Sequence, residues 1–429
     1  MDKSLVDWLA EADPARLIVV KPNWVDENHG TRPDDWEPVI THPAVVATVV
    51  EGLAELMGGR GTIVLCDAPI TYARFAAIAA RGDLPGRLAR IKFRFPALAV
   101  ELLDLRREIW IQKEDVVTER LPNPPDPRGY AQLDLGPGSL FYRYKGEGRY
   151  YGADYDTSVV NAHHWGEVQE YLLAGTPMTC DLFVNLPKLK THKKTGITCS
   201  LKNLVGVNGD KNWLPHFIQG EPRLGGDEFP AGGLRTAFER RLRRFGQQAA
   251  LAVPGLGSWA FRKMRNVGLR VMGDSEAVAR GGNWQGNDTC WRMALDLNRA
   301  LLFGNLDGTW REAERPHRYM TIVDGIVGGQ GNGPLSPDPA PSGVLLGGTN
   351  PAAVDAVACR LMGFDPATLP IVSRAFDPHR WPISACQLDE VMVTDGGGPA
   401  FSQSKVRPAI PGGFRPHFGW PMLDAARSA

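Results

Sequence analysis

The chain has 429 residues, 43% of them hydrophobic and 22% charged, which is material for about two to three globular domains and excludes global disorder. Lys plus Arg and Asp plus Glu both number 48, so there is no overall basic field of the kind that draws nucleic acid, and any attraction for anions has to come from local clustering. No run of about 18 apolar residues occurs. The segment MDKSLVDWLAEADPARL carries acidic residues where a secretory leader has an apolar stretch, so a cytoplasmic protein without a transmembrane segment is expected. Cys66, Cys180, Cys199, Cys290, Cys359 and Cys386 never fall in a C-x-x-C spacing, so no iron–sulfur cluster is expected from local motifs and the thiols should stay reduced.

In chain order, RLIVVKPN (Arg16 to Asn23) reads as a buried strand stopped by proline. Thr41 and Pro43 then open an apolar-periodic helix that ends at Gly58 and Gly59, and GTIVLCDAP follows as a second buried strand ending at Asp67. Strand, helix and strand in this order imply a parallel crossover, with Lys21, Asn23 and Asp67 together at the carboxyl ends where such sheets bind ligands. His42, at the helix start, is placed to face the same cleft.

From about Arg120 to Tyr155 the chain is rich in Pro, Gly and Tyr, and SLFYRYKG alternates as a hairpin or covering flap would. HHWGEVQEYLLAG reads as a helix and DLFVNLP as a strand. The stretch 232–282 has ten Lys or Arg against three acids, a net of +7, and reads as a basic helical insertion: a solvated face or a homo-oligomer contact. NDTCWRMALDLNRALLFG has helical spacing with Asp288 as its expected N-cap. RYMTIVDGIVGGQGNGP reads as a strand running into a glycine loop, which lacks the GK[ST] ending of a nucleotide-triphosphate loop. SGVLLGGTNPAAVDAVACRLMG adds a strand and a helix, and LDEVMVTD closes the lobe as a strand.

The expected fold is therefore α/β, with two lobes of mainly parallel sheet flanked by helices. The division is an N-terminal lobe over 1–118, a hairpin or flap over 119–160, a central strand–loop–helix segment over 161–231, the basic insertion over 232–282, a second lobe over 283–400 and a wrapping tail over 401–429.

DLFVNLPKLKTHKKTGITCSLKNLVGVNGDK carries the chemistry. Six lysines (Lys188, Lys190, Lys193, Lys194, Lys202 and Lys211) are interleaved with Asn185, Thr191, His192, Thr195, Thr198, Ser200 and Asn203, a donor density that suits an anion cradle. With a helix starting near Thr195, its free N–H groups would add to the attraction, and Thr198 and Lys202 would share a face. His192 is the candidate proton carrier, a lysine held among other cations would be pushed towards its neutral, nucleophilic form, and His192 and Lys202 are the catalytic candidates. Lys21, Asn23, Asn185, Lys188, Lys190, Thr198, Asn203 and Lys211 are the expected ligand holders. Asp67, Asp324 and Asp355 each lie at or beside a strand end and together would suit a hard divalent cation, although strand-end aspartates also cap helices and turns. Trp284 and Trp291, which stand with Asn287 and Arg292, read as core first and as a substrate platform second.

VVKPNWV, THPAVV, the strand ending at Asp67, VNLPKLKTHKKTGITCSLKNLVG, GNWQGNDTCWRMALDLNR, VDGIVGGQGNGP and GGTNPAAVDAVACRLMGFDP occur in order along most of the chain, and in them the sequence resembles the domain of unknown function 362 family. Some members carry a ferredoxin-like cysteine module that this chain lacks. A fainter resemblance reaches the nickel-pincer lactate racemase family through His192, Gly196, Thr198 and Lys202; it implies a catalytic role for His192 and a cofactor- or substrate-holding one for Lys202, with Cys199-Ser200 and Asn203-Leu204 standing where that family has glycine-containing pairs. The functional expectation is an enzyme that binds a small carboxylate- or phosphate-bearing molecule and moves a proton on it, by isomerisation or elimination. Metal- or cofactor-assisted redox chemistry and non-catalytic anion binding are the alternatives.

Overall fold

β-Branched runs form the centre of the protein. In the computed structural model, which describes residues 3–11, 13–113, 116–152, 157–230 and 281–425, RLIVVKP becomes β1 (Leu17–Pro22), every residue of it buried. The 232–282 insertion, and the oligomer contact assigned to it, lie outside the described residues apart from Gly281 and Gly282. After β1 come α1 (Pro43–Leu56), β2 (Gly61–Asp67), α2 (Leu84–Arg94) and β3 (Leu98–Asp104). The central segment gives β4 (Leu182–Leu186), β5 (Lys188–His192), β6 (Gly196–Thr198) and the one-turn α3 (Ser200–Asn203). The last third gives α4 (Cys290–Phe303), β7 (Tyr319–Asn332), β8 (Ser336–Ala340), β9 (Val344–Gly348) and α5 (Pro351–Met362). No helix among the described residues is long and apolar enough to cross a membrane.

These nine strands belong to one sheet. β3, β2, β1, β4 and β7 pair in parallel in that order, β5 runs parallel to the later part of β7, and β6, β8 and β9 are antiparallel additions. The α/β class with a mainly parallel, helix-flanked sheet is as expected, but the strands assigned to two lobes join in this single sheet. The join is the pairing of β4 with β7, which sets Asn185 beside Thr321. β5 continues beyond Pro187 along the same strand, with Lys188 beside Asp324.

Side-chain alternation divides polar residues between the two faces. Ile18, Val20, Ile63, Leu65, Leu182, Val184 and Met320 pack with α1 and α2, whose buried Val46, Val50 and Leu53 and Leu84, Leu88 and Ile91 recur at helical spacing. Leu17, Val19, Val64, Cys66, Phe183 and Tyr319 pack on the other side with α4. Lys21, Asn185 and Thr321 follow Val19, Phe183 and Tyr319 by two residues, so they form a polar rung on the α4 side, whereas Asp324 continues the α1 side. There Lys188 Nζ lies 2.9 Å from Asp324 Oδ2, both side chains fully buried, and the same oxygen accepts the His42 backbone N–H at 2.8 Å. His42 Nδ1 also accepts from Ala44 N–H, so His42 caps α1, while Thr41 Oγ1 bonds to Leu186 O and Asn23 N–H.

Several local expectations give way to tertiary pairing. Within HHWGEVQEYLLAG, Val168–Ala174 is a strand, not a helix: it pairs with Tyr130–Asp134 and buries Gln169, Tyr171 and Leu173 in alternation. SLFYRYKG forms turns, because Phe141 is drawn into the core against Tyr150; the hairpin sits earlier, between Glu108–Lys113 and Val116–Pro122. LDEVMVTD contributes only Met392–Val393, paired with Phe401–Ser402 outside the main sheet. GGQGNGP is no phosphate loop but the end of β7; a Cβ at Gly333 would stand 1.9 Å from Thr191 O and one at Gly329 2.8 Å from Pro38 O, so glycine is there for close approach. The expected helix start near Thr195 is replaced by the β5–β6 hairpin, and α3 begins at Ser200. Its first N–H groups are already satisfied: Asp355, on α5, accepts Ser200 N–H at 2.7 Å and Leu201 N–H at 3.0 Å.

Two predictions follow from these buried carboxylates. Asp324→Ala leaves Lys188 uncompensated in the core and should cost about 3–5 kcal/mol in urea unfolding, most of it recovered in the double variant Lys188→Met, Asp324→Leu; a single-variant loss below about 1 kcal/mol would contradict the pairing. Burial pushes the Asp355 carboxyl up to about 7, the two N–H bonds opposing this only in part. A carboxyl raised in the folded state takes up a proton on folding, so its contribution is full below its ordinary 3.8 and is lost as pH rises to about 7. The thermal-midpoint advantage of wild type over the non-titrating Asp355→Asn should therefore shrink across that interval, and an advantage that widens with pH would contradict it.

Candidate functional site

The carboxyl ends of β1, β2 and β4 are tied together by polar side chains. Lys21 Nζ lies 2.8 Å from Asp67 Oδ1, with 1% and 4% of the two side chains exposed, and also donates to Pro22 O and, at 3.2 Å, to Asn203 Oδ1. Asn23 Nδ2 donates to the same Asn203 oxygen at 2.9 Å, and Asn203 Nδ2 donates to Asn185 Oδ1 at 2.7 Å. Asn185 Nδ2 passes the chain on to Tyr319 Oη at 2.6 Å, and Ser200 Oγ bonds to Tyr319 Oη and Thr321 Oγ1 at 2.9 and 2.7 Å. Lys21, Asn23, Asp67, Asn185 and Asn203 are thus one network that anchors α3, and with it Lys202.

The β5–β6 hairpin supplies a second wall. Lys190 pairs with Thr198 and His192 with Gly196, and alternation puts the side chains of Lys190, His192 and Thr198 on one face while Leu189 and Ile197 enter the core on the other. Gly196 has φ +81°, and a Cβ there would meet Leu369 at 2.1 Å, so this turn requires glycine. Lys190 Nζ donates to Val39 O and, at 3.2 Å, to Pro334 O. Thr198 Oγ1 is buried without a hydrogen-bond partner.

Lys202 is 7% exposed, and among the described residues its ammonium has neither a hydrogen-bond acceptor nor an ion-pair partner. Burial lowers its pKa; the Cys290 thiol opposes that shift and the Lys21 charge adds to it. The Lys202 charge reaches two imidazoles, His192 and His216. Burial holds each well below the ordinary 6.5, and Lys202 is the next cause for both, with Lys194 adding to each. Both rings are therefore neutral at neutral pH, and backbone groups fix which nitrogen carries the proton. His192 Nδ1 accepts the Lys194 backbone N–H at 3.0 Å, so its proton is on Nε2. His216 Nδ1 lies 2.9 Å from Leu214 O, which can only accept, so Nδ1 holds the proton and Nε2 presents a lone pair. One ring thus offers a donor and the other an acceptor, and no other residue engages either Nε2 among the described residues.

The expected residues separate accordingly. Lys190, His192 and Thr198 share the hairpin face, and the Lys202 charge bears on Lys190 and His192. Lys188 does not join them; it is paired with Asp324 on the α1 face. Lys211 Nζ bonds to Val205 O, and its charge bears on His216. Asp67, Asp324 and Asp355 do not form the expected cation site: one pairs with Lys21, one with Lys188, and one caps α3. The described residues contain no group of three or more His, Cys, Asp or Glu side chains arranged to hold a metal ion. Asp288 is not the cap of α4; Asn287 Oδ1 takes Thr289 and Cys290 N–H, and Asp288 bonds Tyr144, Trp291 and Arg292 instead. Sequence reasoning missed His216 and the position of Cys290 beside Lys202. Neither lies in a spacing that marks it, because both arrive through the fold.

No curated protein matches the chain. Among solved structures, one similar to it is the crystal structure of a protein from Thermotoga maritima, a structural-genomics target, with 11% identity and a TM-score of 0.26, covering 75% of this chain and 50% of that chain. The chain spans about half the length of that protein. A family model matches residues 140–360, a stretch that holds His192, Thr198, Lys202, His216 and Cys290 but not Lys21, Asn23 or Asp67. On that match, which covers just over half of the sequence, the chain belongs to the family described as Domain of unknown function (DUF362).

Proposed function

We propose that this protein is an enzyme that binds a small carboxylate- or phosphate-bearing metabolite and transfers a proton on it, in an isomerisation or elimination. The observation that carries this reading is the pair of neutral imidazoles fixed in opposite tautomers within reach of the Lys202 charge. A base must present a lone pair and an acid must present a proton, and His216 Nε2 and His192 Nε2–H supply one of each without a change of protonation state. Lys202 supplies attraction for the anionic end of the ligand, and Asn203 keeps its helix in place. Anion binding alone needs cations but has no use for opposed tautomers, which favours catalysis over carriage.

Solvent-deuterium exchange read by NMR tests this on a panel of 2-hydroxy and 2-oxo acids, at the C–H next to the functional carbon. His192→Ala and His216→Ala should each slow exchange by about a hundredfold or more while leaving ligand affinity within about tenfold, whereas Lys202→Ala should weaken binding as well. Exchange undiminished in either histidine variant would remove the proton-transfer reading.

A further inference from the structure

Five lysines are buried among the described residues, and four of them are compensated. Lys21 and Lys188 have aspartates, and Lys190 and Lys211 have backbone carbonyls. Among the described residues Lys202 has nothing of the kind; the Cys290 thiol favours its charged form and the Lys21 cation disfavours it. Burial of this ammonium without a partner lowers its pKa, so the neutral amine is reached more readily here than at an exposed lysine. A primary amine in that state is a nucleophile towards carbonyl carbon.

Two of the groups that such an addition needs lie under the influence of the Lys202 charge. His216 Nε2 can take the proton that the attacking nitrogen must lose, and His192 Nε2–H can give one to the oxygen that must leave. Among the described residues Thr198 Oγ1 is a buried hydroxyl with no partner, so it retains capacity for a carboxylate on the hairpin face it shares with His192.

From this we infer that Lys202 forms an imine with the carbonyl carbon of a 2-oxo carboxylate substrate. The Nζ lone pair forms the C–N bond as the C=O π pair moves to oxygen, which is protonated. Loss of one nitrogen proton gives the carbinolamine; a second proton on its oxygen lets that oxygen depart as water, and loss of the second nitrogen proton leaves C=N. Substrate plus amine gives imine plus water, with no change of oxidation state and no co-reactant. The imine then withdraws electrons from the adjacent C–H, the bond whose proton His216 would accept. The inference rests on the proton-transfer reading of the same site and names its substrate class and its covalent step.

Borohydride trapping tests it. Wild-type protein is incubated with pyruvate, and separately with glyoxylate, then reduced and mapped by peptide mass spectrometry. The expected result is an oxo-acid- and borohydride-dependent adduct on Lys202, at least about tenfold above that on any exposed lysine such as Lys92 or Lys405, and absent at this position in Lys202→Arg. An adduct missing from Lys202, or spread evenly over surface lysines, overturns the imine. If pyruvate C–H exchange persists without the adduct, the imine fails and the proton-transfer reading stands. An adduct on Lys202 without any histidine-dependent exchange supports the imine and removes that reading.

Discussion

Lys21 and Asp67 face each other at 2.8 Å where β1 and β2 end, almost wholly out of water, and the site is built outward from that contact. A buried ion pair is seldom a large net stabiliser, yet removing either partner strands a charge at a cost of about 3–5 kcal/mol, so the geometry is strongly enforced. Asp67 also takes the Trp24 N–H, and Lys21 holds Asn203, so the pair fixes two strand ends and the helix behind Lys202 together. The chain passes so close that a Cβ at Gly206 would stand 1.9 Å from Asp67 Oδ1 and 2.6 Å from Lys21 Nζ. Only glycine fits there without moving the pair.

The contrast between neighbouring lysines is the second consequence. The sheet gives Lys188 a carboxylate on one face and gives Lys190 carbonyls beside the loop before α1, and these are structural solutions to buried charge. Lys202 lies on the other face, over the asparagine and hydroxyl network, where Asn203 Oδ1 is engaged by Lys21 and Asn23, Asn185 Oδ1 by Asn203, and Asp67 by Lys21 and Trp24, while Asn23 Oδ1 is buried without a partner among the described residues. Among the described residues, Lys202 Nζ, Thr198 Oγ1, Asn23 Oδ1 and the Nε2 atoms of His192 and His216 have no hydrogen-bond partner.

Much of this was legible from sequence where a local rule acts alone. β1, β2, α1, α4 and α5 follow from β-branched runs, helical periodicity and the prolines at Pro43 and Pro351. His192, Thr198, Lys202 and the asparagines stood out because donors crowd one segment. What was not legible depends on partners far along the chain. Val168–Ala174 became a strand because Tyr130–Asp134 is there to pair with it, and α3 could not start at Thr195 because Gly196–Thr198 folds back on β5. Of the three aspartates only Asp67 ends a strand; Asp324 lies within β7 and Asp355 within α5, and Asp67 and Asp324 pair with different lysines. His216 shares no motif with His192; only the fold brings them under the same charge.

The central claim is that two neutral imidazoles are held in opposite tautomers beside an uncompensated lysine. Long-range proton–nitrogen NMR correlation on histidine-labelled protein at neutral pH reads this directly. The account predicts a neutral His192 protonated on Nε2 and a neutral His216 protonated on Nδ1. Either ring found doubly protonated, or both found in the same tautomer, would contradict it.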